Sequence, residues 1–326
     1  MKKLKPFKVD IAVALIFFNR PEVFKPVFDA VAAARPSRLY LIQDGARAHR
    51  PDDKVKIMEC RAITQNIDWD CEVHTDYSET NLGCGQRIFT GLSCVFQKEE
   101  YAAIVEDDIK IGESFLPFCK EMCERFKDDQ RIQMISGMNH IGIYEDCPYD
   151  YFFAKYGGAI WGWATWARVW NELDWNMKIV SNPYYQRCLE YSLLPDNRGK
   201  NEILKRSLEV RNNILNGKAP SFWSLHLGLY DALGSRLHVV PKYNLISNIG
   251  ITAESAHATN SIKKVVKRLR KVFYAPIYDM PVNLKHPEFV TDDEYYMRMQ
   301  DAIMRPRRWQ RFVELFELIR IKIFIR

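Results

Sequence analysis

Three consecutive acids, Glu106-Asp107-Asp108, close the apolar run Tyr101-Ala102-Ala103-Ile104-Val105. Adjacent carboxylates repel one another and each resists desolvation, so a strand that ends this way calls for a cation. Two acids at a strand end can hold a divalent ion that itself holds a diphosphate. The alternative is a turn of solvated acids leading into a helix started by Ser114. In "ETNLGCGQRIFTGL", Gly83 and Gly85 precede a helix and can offer backbone N–H groups to phosphate, with Arg87 adding charge; a plain loop-to-helix turn explains the same residues. Asp44, in "QDG", reads either as a turn-forming Asp-Gly pair or as a ligand contact. In "IWGWATWARVW", Trp163, Trp166 and Trp170 fall at helical spacing, as core residues do, or form an aromatic platform for a sugar ring. Trp161 and Trp163, beside Gly157, Gly158 and Gly162, are expected near a bound sugar, and Trp166 and Trp170 in the core. His257, in "ESAHAT", is either a phosphate or metal contact or a bystander.

The elements that must position these residues alternate in the N-terminal half. "DIAVALIFF", "RLYLIQDGA", "DCEVHTDY", "YAAIVEDDI" and "IQMISGMN" read as strands. Between them "PEVFKPVFDAVAAA", "DDKVKIMECRAITQNI", "GQRIFTGLSCVFQKE" and "SFLPFCKEMCERFKDD" read as helices, the first with proline in its first turn. Such alternation implies right-handed crossovers and a mostly parallel sheet with ligands at the strand C-termini. The polar residues gather there: Asn19-Arg20, Asp44-Gly45, Glu106-Asp107-Asp108 and Ser136-Gly137. "PSFWSLHLGLYDALGSRLHVVPKYNLISNIG" reads as helix, strand and loop.

"YAAIVEDDIKIGESFLPFCKEM" resembles the nucleotide-sugar strand of N-acetylglucosaminyltransferase I and its relatives. "ALIFFNRPEVFKPVFDAV" is similar to that family's opening strand, loop arginine and helix, and "LYLIQDG" to its second strand. "AIWGWATWARVWNELD" resembles its acceptor-side segment and is closer to bacterial surface-polysaccharide sugar transferases that carry "WGWATW". "PKYNLISNIGITAESAHAT" is similar to the loop those relatives close over the diphosphate. The resemblance runs from about Val9 to Thr259 as short motifs in order. It implies an α/β GT-A (nucleotide-diphospho-sugar transferase) fold with a C-terminal helical appendage. The implied activity is inverting transfer of a hexosyl or N-acetylhexosaminyl group from a UDP-sugar to a polysaccharide or lipid-linked saccharide, as in bacterial surface glycan synthesis. Carried over, Arg20 and Asp44 contact the uracil end, Asp107 the ribose and Glu106 the donor sugar, while Asp108 ligates Mn²⁺ or Mg²⁺. Arg87, Trp163 and His257 complete the donor side. Where the family places an aspartate base just after a tryptophan, this chain has Ser224, and a serine cannot take a proton unaided. The candidate bases are Glu254, Asp231 and His226, in that order. On a helix His226 is about 200° round from Ser224 and Asp231 about 10 Å further along, while Glu254 lies in the closing loop. The rival expectation is a non-catalytic, membrane-associated nucleotide-sugar-binding relative that has lost its base.

Composition bounds these readings. The 326 residues suit one large domain, residues 1–260, divided into a nucleotide-binding part (9–140) and an acceptor part (141–260), with an extension over 261–326. A net charge of +6, with the basic residues not spread along the chain, does not suggest a nucleic-acid partner. Eight cysteines without repeating spacing read as reduced thiols in a cytoplasmic protein. The N-terminal apolar run is short, is preceded by Lys8 and Asp10 and lacks a small-residue cleavage site, so it reads as a core strand rather than a signal peptide. The tail combines Arg305, Arg307, Arg308, Arg311, Arg320, Lys322 and Arg326 with large apolar residues. It reads as a helix lying on an anionic membrane at the inner face of the cell, or as one packed on the domain or a partner.

Overall fold

The computed structural model describes residues 4–192, 200–218, 220, 223–251, 261–305 and 311–316. Ten strands are named in chain order among them: β1 (Val9–Phe17), β2 (Pro36–Gln43), β3 (Glu72–Tyr77), β4 (Tyr101–Glu106), β5 (Ile109–Ile111), β6 (Ile132–Ser136), β7 (Tyr151–Ala154), β8 (Trp163–Trp166), β9 (Leu237–Pro241) and β10 (Ile246–Asn248). The helices that matter for the site are α1 (Pro21–Ala34), α2 (Asp53–Thr64), α3 (Cys84–Phe96), α4 (Phe115–Arg125), α5 (Ala167–Trp170), α6 (Pro183–Ser192), α7 (Lys200–Leu215), α8 (Ser224–Gly234), α9 (Lys267–Arg270) and α10 (Glu294–Met304).

Eight strands form one sheet in the order β3-β2-β1-β4-β8-β6-β9-β7, and β5 pairs with β10 in a separate antiparallel ribbon. β1, β2, β3 and β4 are mutually parallel, as are β6 and β9. β8 is wedged antiparallel between β4 and β6, and β7 is antiparallel at one edge. The protein is therefore an α/β structure built on a large, mostly parallel sheet flanked by helices. The continuous apolar run of β1 is explained by its place: all its residues except Asp10 are buried, because parallel strands covered on both faces have no polar side. α1 packs Phe24, Val27, Phe28 and Val31 into the same core and ends at Arg35 in the left-handed conformation.

Two expectations are corrected. Trp163 and Trp166, spaced as on a helix, lie on strand β8, and the helix begins only at Ala167. Ser114 precedes α4 but does not cap it; its hydroxyl accepts the Met280 N–H at 3.0 Å, tying the C-terminal region to the sheet domain. Residues 261–305 pack against the rest rather than standing apart. Tyr296 of α10 is fully buried against Tyr144 and Phe152, and the Asp293 N–H donates to Phe153 O at 2.8 Å.

Candidate functional site

β1, β2 and β4 run in one direction, with Phe17 beside Gln43 and Ile16 beside Glu106, so the residues that follow them emerge at one edge of the sheet. The cation required by the acidic triplet is there. Arg20, three residues past β1, ion-pairs through Nη2 with Asp107 Oδ1 and reaches Asp108 Oδ2 at 3.1 Å. Its Nε lies 3.4 Å from Asp107 Oδ2, which also accepts the Phe18 N–H at 3.4 Å. All three side chains are largely buried. Burial opposes the Arg20 charge, yet Asp107 and Asp108 hold the guanidinium above its ordinary range. One arginine does not balance three carboxylates. Glu106 is pushed up to about 8 by burial first and then by Asp108 and Asp107, and Asp108 is pushed up by burial and then Asp107. The Asp108 carbonyl accepts the Ile249 N–H at 2.8 Å, where the β5–β10 ribbon ends. Gly250 lies so close to Asp108 that a Cβ there would stand 2.2 Å from Oδ2, which confines this position to glycine.

Asp44, just beyond β2, is buried and turned into the loop before α3. Its Oδ1 accepts the N–H groups of Gly45 and Leu82, and its Oδ2 those of Asn81 Nδ2 and Gly83, each at 2.9 Å. The side chain thus holds the loop that leads into α3, whose N-cap Gly83 has positive φ and no side-chain cap. Arg87 is also buried beneath the loop: Nε donates to Gln43 O at 3.1 Å, and Nη2 to Asp76 O at 2.5 Å and Asp76 Oδ1 at 2.8 Å. It joins the ends of β2 and β3. Alongside, Arg47 clamps Asp53 with two 2.7 Å bonds, Asn19 adds a third at 2.7 Å, and Arg47 lies 5.3 Å above the Phe18 ring. These bonds, Arg47's foremost, hold Asp53 down at about 2 against its burial. Cys84 is exposed by area but walled in: desolvation first, then Glu106, Asp107, Asp44 and Asp108, push its thiol up to about 12. A thiol that senses all four carboxylates marks the strand ends as one electronegative cleft.

The remaining candidates lie elsewhere or deeper. Trp163 is fully buried and stacks on Trp223 with ring centroids 5.5 Å apart, whereas Trp161 is partly exposed beside Phe273 at 5.2 Å. Trp166 and Trp170 are buried, as expected for core residues. Ser224 is the first residue of α8. His226 is buried and stacks on Trp175 at 5.0 Å, and its ring nitrogens face Trp223 O at 3.0 Å and Trp175 O at 2.9 Å. Burial lowers its pKa, with the two carbonyls pulling the other way. Asp231 Oδ2 is 2.8 Å from His238 Nε2, and the Gly158 N–H donates to His238 Nδ1 at 3.0 Å, so Nε2 carries the proton and donates to Asp231. Glu254 and His257 lie outside the described residues. The sequence alone does not single out Arg47, Asp53, Asn81 or His238. Arg47 and Asn81 follow a strand by four residues, whereas Asp53 opens α2 and His238 lies inside β9, where nothing local marks them.

Among the described residues no group of three or more His, Cys, Asp or Glu side chains is arranged to hold a metal ion. No protein-family model and no curated protein matches the chain. Solved structures are similar over much of it. Among them are mouse xyloside xylosyltransferase 1 in its apo form (10% identity, 71% of this chain and 85% of that one, TM-score 0.36); a UDP-glucose pyrophosphorylase complexed with UDP-glucose (10%, 75% and 95%, TM-score 0.36); and 4-diphosphocytidyl-2C-methyl-D-erythritol synthase from Anaerococcus prevotii DSM 20548 (12%, 60% and 84%, TM-score 0.31). Likenesses this distant carry no argument about what this chain does.

Proposed function

We propose that this chain is a metal-dependent glycosyltransferase of GT-A type, moving a sugar from a UDP-sugar donor to a polysaccharide or lipid-linked saccharide acceptor. The observation that carries this reading is the convergence of Arg20, Glu106, Asp107 and Asp108 where parallel β1 and β4 end, the edge of an open α/β sheet at which ligands bind. The donor set fits Mn²⁺ or Mg²⁺. The oxygens are hard, the negative charge exceeds what Arg20 balances, and such ions take one or two carboxylates while phosphate oxygens and water complete the shell. Asp108 would hold the ion, which when bound would stabilise the leaving diphosphate as the glycosidic bond breaks.

The chain's own groups take the other roles. Asp107, held by Arg20 and the Phe18 N–H, faces the ribose. Glu106, which ends β4 beside Asp107 and Asp108, faces the donor sugar. Of the two residues that the resemblance carries to the uracil end, Asp44 has its oxygens engaged and acts by fixing the Asn81–Gly83 loop, while Arg20 pairs with Asp107 and Asp108 and so stands beside the diphosphate. Arg87 steadies that loop from below, Trp163 backs the segment on which Trp161 meets the sugar, and His257 is the candidate diphosphate contact. Glu254 is the first candidate for the base. Asp231 and His226 follow it, because both are engaged inside the fold.

Placement on an anionic membrane surface is supported by residues 311–316. Glu314 is tied to Arg268 at 2.6 Å while Phe312 and Phe316 are 68% and 71% exposed. No helix among the described residues is long and apolar enough to cross a membrane. Ser224 favours a second reading, a nucleotide-sugar-binding relative without turnover.

Isothermal titration of UDP with Mn²⁺ tests the metal role. Asp108→Asn weakens binding on the order of 10-fold or more, by analogy with the loss of even an outer partner; unchanged affinity overturns it. Release of UDP from a panel of UDP-sugars with saccharide acceptors decides between the readings, because tight UDP binding without turnover selects the second.

A further inference from the structure

Asp108 is enclosed by three groups. The Ile249 N–H takes its carbonyl, Gly250 backs its carboxylate, and the Arg20 guanidinium faces it at 3.1 Å. The same Nη2 also pairs with Asp107, so a single guanidinium arm bridges both acids. A divalent ion approaching Asp108 meets that positive charge at contact distance, in a cleft that screens it poorly. Asp107 has a second donor in the Phe18 N–H, 3.4 Å from its Oδ2, which remains when a guanidinium bond is lost. Arg20 itself lies on a loop of three residues between β1 and α1, so its side chain can turn while its backbone stays. A diphosphate beside the ion would offer the guanidinium the planar, paired oxygens it binds best.

We propose that Arg20 is the resident counter-cation of the Asp107–Asp108 pair, and that a divalent ion binds Asp108 by exchange with it, the freed guanidinium passing to the diphosphate. This rests on the glycosyltransferase reading for the identity of the diphosphate, though not for the exchange. Its consequence is coupling: Mn²⁺ alone binds weakly, and Mn²⁺ with UDP binds tightly, because only the pair supplies Arg20 with new partners.

Mn²⁺ titrations on the full chain, followed by electron paramagnetic resonance of the free ion, test this. Arg20→Gln binds Mn²⁺ alone about 10-fold tighter than the wild type, within the usual range of coupling between sites. The factor by which UDP tightens Mn²⁺ is smaller in Arg20→Gln than in the wild type. Unchanged or weaker Mn²⁺ binding overturns the exchange, and an equal gain with and without UDP reduces it to a field effect and overturns it also. Should Arg20→Gln fail to fold, a direct readout on the wild type remains. Its Arg20 Nε–H resonance, identified by its absence in Arg20→Lys, shifts on titration with Mg²⁺ and saturates with the binding isotherm; a resonance that does not move refutes the proposal. Exchange without UDP binding would sink the function proposed above and leave the exchange standing, whereas UDP and Mn²⁺ binding with a motionless Arg20 would do the reverse.

Discussion

His140 is 8% exposed, its Nδ1 has no partner among the described residues, and burial pushes its pKa down to about 4. Its backbone N–H donates to the Tyr296 hydroxyl at 3.2 Å, so it sits at the seam between the sheet domain and α10. The unfolded chain takes up this proton near pH 6.5, the folded one near 4. Above about pH 6.5 both states are neutral and the group has no effect. As pH falls from there the unfolded state binds more protons, so stability declines until about pH 4 and levels off below it. Between pH 7.5 and 4.5 the wild type should lose about 2–3 kcal/mol through this residue. Urea unfolding at the two pH values checks it: His140→Gln should show a decline smaller by that amount, and parallel curves would reject the assignment. Arg20 illustrates the opposite case, a charge that tolerates burial because two carboxylates meet it.

At the scale of elements, a single carboxylate organises the loop that leads into α3. Asp44 receives four N–H groups, and Gly45 packs so tightly on Thr80 that a Cβ would stand 2.5 Å from its carbonyl carbon. The ends of β2 and the 80–83 loop are therefore locked face to face without a conventional helix cap. Asp44→Ala leaves the N–H groups of Leu82 and Gly83 without their acceptor, at a cost of about 1–3 kcal/mol. The urea midpoint should fall accordingly. Hydrogen exchange should quicken at residues 81–83 while the interior of α3 keeps its protection. Protection that is unchanged at 81–83 would mean that the loop is held by something other than Asp44.

For the whole molecule, the C-terminal region carries both a buried and an exposed apolar face. Residues 261–305 join the core through Val272, Tyr296 and Ile303. Beyond them Phe312, Val313, Leu315 and Phe316 face outward near the basic run Lys263–Lys271. Each basic residue close to an anionic surface adds about 1 kcal/mol, screened by salt. Truncation before Arg305 should move the protein from the pellet to the supernatant when sedimented with phosphatidylserine vesicles at low salt, and raised salt should release the full chain. If the truncated chain sediments as before, the tail belongs to packing or to a partner.

The sequence by itself determined the alternation of strands and helices, the apolar character of β1 and the presence of an acidic end to β4. Hydrophobic period and proline position act within a window of ten to fifteen residues and survive without any tertiary contact. The boundaries of α1 were readable from Pro21 to Ala34 for that reason. What answers the acids was not readable: Arg20 is 87 residues from Asp107, and only the parallel pairing of β1 with β4 brings the two side chains to one edge. The same holds for Asp44, whose use depends on the loop at residues 81–83, and for Asp231, whose partner His238 sits on another element. The spacing of Trp163, Trp166 and Trp170 suits a helix, and only the wedge of β8 between β4 and β6 puts Trp163 and Trp166 on a strand. Local periodicity is written into neighbouring residues, whereas the pairing of charges across strand ends is decided by which strands the crossovers set side by side.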